Sequence, residues 1–428
     1  MQVFILNAER NRLAERQTME SVHAALPDCL SIPMNDDFAE RLNHGIAASA
    51  EPFFITLLAG QRIAPQFATE LQTLLHDLPE NHAGICLPTV SPSSGRKRAA
   101  SHVPEGPAVW RKDAVVEAGG FPARDWLPFE HYVLLDMRYR LSEEWDWGEF
   151  SADCLLQRYY SGKPAWRKEQ EEWSRLHPIL SSAITAAPVS TDPFFTIVIC
   201  SYNNAEYLLW SIRSVLIQTF ADWELIVIDD GSEDGTQDKL RRLPNDPRVS
   251  LIRYDRNRGK AFCLNQALAL ARGKRMLELD ADDWLSPDCL ETFWQNRSDM
   301  EGTSAMYANH DEWLELSDKQ LIYRHAAPSL PAFTPERLLS EAAPLAPRCY
   351  NVKMLRSLGG WWESGPFDGR LYEDFQMLVR LSRRLPLKHL PQVLYNRRIR
   401  SASVTRSNEN KYENWKLWFQ QEFSLGRD

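Results

Sequence analysis

Nowhere do the 428 residues hold a run of about 18 consecutive apolar side chains, so no segment reads as a membrane-spanning helix. The start, MQVFILNAERNR, passes from a short apolar run straight into charges and lacks the apolar core of a secretory leader. Cysteine is sparse: Cys29, Cys86, Cys154, Cys200, Cys263, Cys289 and Cys349 are odd in number and nowhere spaced CxxC. That argues against a disulfide framework and a cysteine-based zinc site, and for reduced thiols in a cytoplasmic protein. Positive charge is also short. Lys and Arg total 49 against 58 Asp and Glu, a formal net charge of −9, so a nucleic-acid partner is not expected. What is present is 44% hydrophobic residues and 15 Trp, which serve equally for filled cores and for stacking on sugars. The length suits two domains.

Residues 181–193 (SSAITAAPVSTDP) are small, polar and broken by proline, which is linker composition. Before them, Trp166 to Leu176 reads as a charged helix closing a first domain, residues 1–180. After them, residues 194–428 open as strand, helix, strand. Phe195 to Cys200 (FTIVIC) and Glu224 to Ile228 (ELIVI) are continuous apolar runs rich in β-branched residues, as in strands covered on both faces. Between them, Leu208, Leu209, Ile212, Val215 and Leu216 form one helical stripe. This alternation predicts an α/β domain of Rossmann-like type with a mainly parallel sheet.

An internal repeat crosses the linker. Leu264 to Pro287 lies over Leu42 to Pro65 without a gap, and Gly359-Gly360-Trp361 over Gly119-Gly120-Phe121, with Glu373-Asp374 and Glu130-His131 following. The repeat predicts two such domains in tandem. The first is degenerate: Leu58, Ala59, Gly60 and Gln61 stand where the second has Asp280, Ala281, Asp282 and Asp283. Asp36-Asp37 could echo Asp229-Asp230, although the segment after it (38–41) is far shorter than its counterpart (231–263).

Three acidic clusters in the second domain could carry chemistry. Asp229 and Asp230 end the ELIVI strand, where open α/β sheets bind ligands, although an Asx-type turn would use them as well. Asp280, Asp282 and Asp283 follow the strand Arg275 to Leu279 and could offer oxygens to a hard divalent cation bridging a diphosphate; a helix-capping loop is the bland alternative. Glu373 and Asp374 open an apolar-faced helix, favoured there by the helix dipole and suited to general-base work.

Together the blocks Ile197 to Thr236, Leu279 to Asp283 and Glu373-Asp374 resemble a family 2 glycosyltransferase of GT-A fold, over Phe195 to about Thr405. The resemblance implies two GT-A-like domains in tandem, and a metal-dependent, inverting transfer from a nucleotide sugar, UDP-linked, to an acceptor hydroxyl. It implies that Cys200, Ser201, Tyr202, Asp229 and Asp230 hold the nucleotide, that Asp280, Asp282 and Asp283 engage ribose and Mn²⁺ or Mg²⁺, and that Asp374, beside Glu373, is the base. It also implies an acceptor side at Trp361 and Trp362, whose rings suit either sugar stacking or the core. One position departs from the pattern: Arg400 stands where the family has a His, so Arg398 and Arg400 are candidates to clamp the diphosphate instead, or are plain surface charge.

A glycan, lipid-linked sugar or peptide remains open as acceptor. A C-terminal helix, Lys411 to Phe423, is expected to dock on the protein itself, with peripheral membrane contact left open. Two alternatives stay in view. One is a non-catalytic nucleotide-sugar or carbohydrate-binding protein of the same architecture. The other, a sugar nucleotidyltransferase, is disfavoured because FTIVICSYNN offers no glycine for a phosphate loop.

Overall fold

The structure is a computed structural model. It describes the chain except residues 8–10, 36, 87–106, 122–131, 143, 158–168, 183, 185–187, 189, 316–320, 330–332, 342–344, 401–407 and 425–428. Asp36, Glu130 and His131 therefore lie outside the described residues. The chain divides into two units, Met1–Ser181 with Glu315–Ile322, and Ser182–Leu314 with Tyr323–Asp428.

The first unit runs β1 (Gln2–Leu6), α1 (Arg12–Ala25), β2 (Leu30–Met34), α2 (Phe38–Ala48), β3 (Phe53–Leu58), β4 (Arg62–Ile63), α3 (Phe67–His76), β5 (His82–Cys86), β6 (Ala108–Arg111), α4 (Lys112–Glu117), α5 (Tyr132–Leu141), β7 (Asp146–Glu149), β8 (Leu155–Gln157) and α6 (Glu169–Ser181). In the second unit the order is β9 (Phe195–Ser201), α7 (Leu208–Leu216), β10 (Trp223–Asp229), α8 (Thr236–Leu240), β11 (Val249–Arg253), α9 (Lys260–Leu270), β12 (Arg275–Asp280), β13 (Trp284–Leu285), α10 (Cys289–Gln295) and α11 (Arg297–Met300). It continues through β14 (Ala305–Glu315), β15 (Leu321–Ala327), α12 (Pro335–Glu341), β16 (Arg348–Asn351), α13 (Val352–Ser357), α14 (Glu373–Ser382), β17 (Leu387–Ile399) and α15 (Tyr412–Ser424).

In the second unit the strands β11-β10-β9-β12 are parallel, and the sheet continues through β16, β14, β17 and β13. Strand β16 runs antiparallel to both β12 and β14, so the sheet is mixed and the expectation of a mainly parallel one is corrected. The β-branched runs behave as their composition dictates. Every residue of β10 is buried, and helices and loops cover both faces of the sheet with two apolar clusters.

The first unit's sheet, β2-β1-β3-β6-β5-β7, is built in the same way. Its order matches β10-β9-β12-β16-β14-β17 strand for strand, including which neighbours run parallel and which antiparallel. A specific contact recurs as well. The Asn43 amide accepts from Phe121 N–H and donates to its carbonyl at 2.8 and 2.7 Å; Asn265 does the same to Trp361 at 2.8 and 2.9 Å. Each clamp needs the glycine before the aromatic residue. A Cβ on Gly120 would sit 2.8 Å from Asn43 Oδ1, and one on Gly360 only 2.2 Å from Asn265 Oδ1, and both glycines have positive φ.

Helix α15 lays Trp415 and Phe419 into the core of the second unit, with Tyr412 against Tyr372 and Phe375. Among the described residues, no helix is long and apolar enough to cross a membrane.

Candidate functional site

Parallel strands point their carboxyl ends the same way, so β9, β10 and β12 deliver Ser201, Asp229 and Asp280 to one edge of the sheet. Ser201 is buried, and its hydroxyl has no hydrogen-bond partner among the described residues. Cys200 is half-buried and Tyr202 is exposed. Asp229 is fully buried and accepts from Ser232 N–H at 3.0 Å and from the Gln237 amide. Those contacts close the turn after β10 and leave both carboxylate oxygens already paired. Asp230 accepts from Arg258 and Gly259 N–H at 2.7 and 2.8 Å, fixing the loop that leads into α9.

The three acids after β12 separate by the direction they face. Asp280 and Asp282 are partly exposed, at 32% and 21% of their side chains. Asp283 is turned inward, where Tyr395 Oη–H donates to one oxygen at 2.8 Å and Arg398 N–H to the other at 2.7 Å. Burial, with Asp282 and Asp280 close by, pushes its carboxyl well above the usual range. Asp283 ties β17 to the loop and, unlike Asp280 and Asp282, is turned away from solvent. Arg398 is also buried. Its Nε donates to the Asp282 carbonyl at 2.9 Å and its guanidinium lies over Tyr207, so it props the loop and does not reach out to a diphosphate. Arg400 pairs with the Asp282 carboxylate, lies over Tyr207 and stays partly exposed.

The second group of acids comes from α14. Tyr372, a non-glycine residue at φ +60°, turns the chain sharply into that helix. Glu373 Oε1 lies 3.0 Å from Lys260 Nζ, and Asp374 Oδ2 lies 2.9 Å from Arg348 Nη1. The same two cations reach the first group. Lys260 Nζ is 2.6 Å from Asp280 Oδ1, and Arg348 Nη2 is 3.5 Å from Asp280 Oδ2. Both meet at Glu278, buried in β12, with Lys260 at 2.8 Å and Arg348 at 3.1 Å, while Tyr350 Oη–H donates to it at 3.2 Å. The structure thus brings Asp280, Glu373 and Asp374 into one cluster through residues that the motifs did not point to. A signal existed for Glu278, the one charge inside the apolar stretch MLEL; Lys260 and Arg348 gave none.

Four carboxylates share two cations here, and the imbalance shapes their proton affinities. Burial works against ionisation of Asp280, but Lys260 and Arg348 outweigh it and hold that carboxyl below the usual range. Glu373 has no such surplus. Burial, with Asp374 and Glu278 adding to it against the pull of Lys260, lifts it to about 7. Asp374 is raised as well, by burial only partly offset by Arg348.

A divalent cation fits the exposed part of this set. Mg²⁺ and Mn²⁺ take one or two carboxylates and complete their shells with water and phosphate oxygens. Asp280 and Asp282 are the partly exposed oxygen donors, the first in the cluster where four carboxylates share two cations and the second paired with Arg400. Among the described residues no group of three or more His, Cys, Asp or Glu side chains is placed to hold a metal ion, so a cation here would rest on these two carboxylates and would need phosphate and water oxygens besides.

Trp361 and Trp362 are buried at 2% and 8% exposure. Trp361 packs on Tyr350, and Trp362 on Trp418 and Phe419. Their rings pack in the core, the second of the two uses that the sequence left open for them.

Residues 196–312 match the family model described as glycosyl transferase family 2. A chondroitin synthase of Escherichia coli is 28% identical over 243 residues, 55% of this chain and 33% of that protein. The succinoglycan biosynthesis protein ExoO of Rhizobium meliloti is 38% identical over 119 residues, 28% of this chain and 34% of its own. The chain thus spans only about a third of the length of these curated relatives. Among solved structures, a mannosyltransferase from Pyrobaculum calidifontis is 18% identical with a TM-score of 0.40, covering 60% of this chain and 71% of that one. The match from Thr196 to Glu312, which holds Asp229, Asp230, Lys260, Glu278 and the acids after β12, identifies a family 2 glycosyltransferase domain over those residues.

Proposed function

We propose that the protein is a metal-dependent, inverting glycosyltransferase that moves a sugar from a nucleotide diphosphate donor, UDP-linked, to an acceptor hydroxyl. The observation that carries this is the single cluster in which Lys260 and Arg348 join the strand-end Asp280 to the helix-end Glu373 and Asp374. Donor-side and base-side acids within a few ångströms of common cations are what a one-step displacement requires.

Cys200, Ser201 and Tyr202 would receive the base, with the unpartnered Ser201 hydroxyl available to it and Asp230 holding the adjoining loop. Asp280 and Asp282 would hold a divalent cation, which supplies positive charge to the leaving diphosphate. Arg400, already on Asp282, would add a second positive group there. Asp374 would take the proton of the attacking hydroxyl, with Arg348 fixing its carboxylate and Glu373 beside it. The relatives' names favour a growing glycan as acceptor. The seven free cysteines and a nucleotide-sugar donor suit work in the cytoplasm.

The first unit is, on this reading, an inactive GT-A-like copy that supports the second. Its matching strand order and its Asn43 clamp support that reading. Where the second unit has its acids, Gln61 instead accepts from Leu58 N–H at 2.8 Å, and Gly60 N–H donates to Thr18 Oγ1 at 2.8 Å. A binding-only protein is favoured by one observation, the Arg400–Asp282 pair that already neutralises one donor-side acid.

A screen of nucleotide sugars with Mn²⁺ separates the two readings. Hydrolysis or transfer by the full chain is expected, with Asp374→Asn retaining donor binding but losing about 10²- to 10⁴-fold in turnover, the range of general-base catalysis. Binding without turnover in the unaltered protein would leave the binding-only reading, and full transfer by Asp374→Asn would remove the assigned base.

A further inference from the structure

Lys260 occupies an unusual position in the cluster. It opens α9 directly after Gly259, and its ammonium touches Asp280, Glu278 and Glu373 at 2.6, 2.8 and 3.0 Å. Glu278 has other support, from the Arg348 guanidinium and the Tyr350 hydroxyl. Glu373 does not: among the described residues Lys260 is the one cation paired with it. The Lys260 side chain is 27% exposed, and that of its partner Asp280 32%. Arg348, only 4% exposed, is locked by its fork on Glu278. Of the two cations, then, Lys260 is the one free to move, a point charge on a flexible four-carbon stem.

We propose that Lys260 is an internal counter-ion of the crevice, displaced from Asp280 by the divalent cation that arrives with the donor. Asp280 already carries Lys260 and Arg348 at 2.6 and 3.5 Å, so a further positive charge there crowds the first of them, and Lys260 has a second carboxyl, Glu373, already within reach. Loading of the donor side thereby strengthens the hold on the first turn of α14, which carries Asp374. Lys260 is a positioning residue in this scheme: it acts through Asp280 and Glu373. The inference rests on the donor-site reading above.

The test uses the full chain with Mn²⁺ and UDP as probes, in calorimetric titrations run beside donor turnover. In Lys260→Met the competitor is gone, so Mn²⁺ in the presence of UDP binds about fivefold more tightly, the scale of one partly exposed ion pair. Turnover falls by about tenfold or more while donor KM does not rise, because the base side loses its anchor. Lys260→Arg keeps the charge and returns Mn²⁺ affinity toward the unaltered value. Glu278 keeps Arg348 and Tyr350 in these variants, so folding survives; a thermal melt checks this, and Lys260→Gln replaces the Met variant if it does not. Unchanged or weaker Mn²⁺ affinity in Lys260→Met overturns the proposal. If the unaltered protein binds neither Mn²⁺ nor UDP, or Asp374→Asn turns over normally, the donor-site reading has failed instead.

Discussion

Glu373 offers a stability measurement that needs no substrate. Its side chain is 7% exposed and shares Lys260 with two other carboxylates, which lifts it to about 7 from an ordinary 4.5. Between about pH 4.5 and 7 the folded protein is therefore expected to hold a proton there that the unfolded chain has released. The stability this provides is complete below about pH 4.5 and is lost as pH rises through 7. At about 1.4 kcal/mol per tenfold change in proton affinity, the full loss is on the order of 3 kcal/mol. Glu373→Gln is neutral at every pH and can still accept from Lys260, so it escapes the loss. Urea unfolding of both proteins at pH 5, 7 and 8.5 should show similar stability at pH 5. By pH 8.5 the variant should gain on the unaltered protein by a few kcal/mol. Parallel pH profiles would show that Lys260 fully neutralises Glu373, and the charge-imbalance argument would fall with them.

Three further outcomes follow from the geometry. Asp283→Asn keeps an acceptor for Arg398 N–H and a partner for Tyr395, so it should unfold within about 1 kcal/mol of the parent and bind Mn²⁺ with UDP unchanged; a tenfold loss by calorimetry would return Asp283 to the metal ligands. Trp361→Ala should cost about 3–5 kcal/mol in urea unfolding while leaving acceptor KM untouched, as a core residue does and an acceptor platform does not. Asn43→Ala removes two hydrogen bonds to the Phe121 backbone and should cost about 1–3 kcal/mol, yet leave the stabilisation given by UDP in a thermal-shift assay unchanged. Loss of that UDP effect would give the first unit a part in donor binding.

The strands of the second unit were legible because burial on both faces demands continuous β-branched runs, and FTIVIC and ELIVI are that. The acids after β12 were legible as a run but not by direction. Which of them turns inward depends on Tyr395 and Arg398, contributed by a strand far along the chain. Lys260 and Arg348 were invisible for the same reason, since each takes its meaning from carboxylates on other elements. The repeated Gly-Gly-aromatic signal is visible in the sequence as a mark of the repeat, but its physical purpose is not. In the structure it is a packing device, in which glycine leaves room for an asparagine amide to clamp the next residue. Arg398 and Arg400 look alike in sequence and both lie over Tyr207, yet they differ in partner: Arg398, in β17, donates to the Asp282 backbone carbonyl, whereas Arg400, just past the strand, pairs with the Asp282 carboxylate.

The most direct test is the affinity of the full chain for UDP, with and without Mn²⁺, in the unaltered protein and in Asp282→Ala. If outward-facing aspartates recruit a cation to seat the diphosphate, Mn²⁺ tightens UDP binding in the first protein and loses most of that effect in the second. Equal tightening in both, or none in either, would mean that these side chains do not form a donor site.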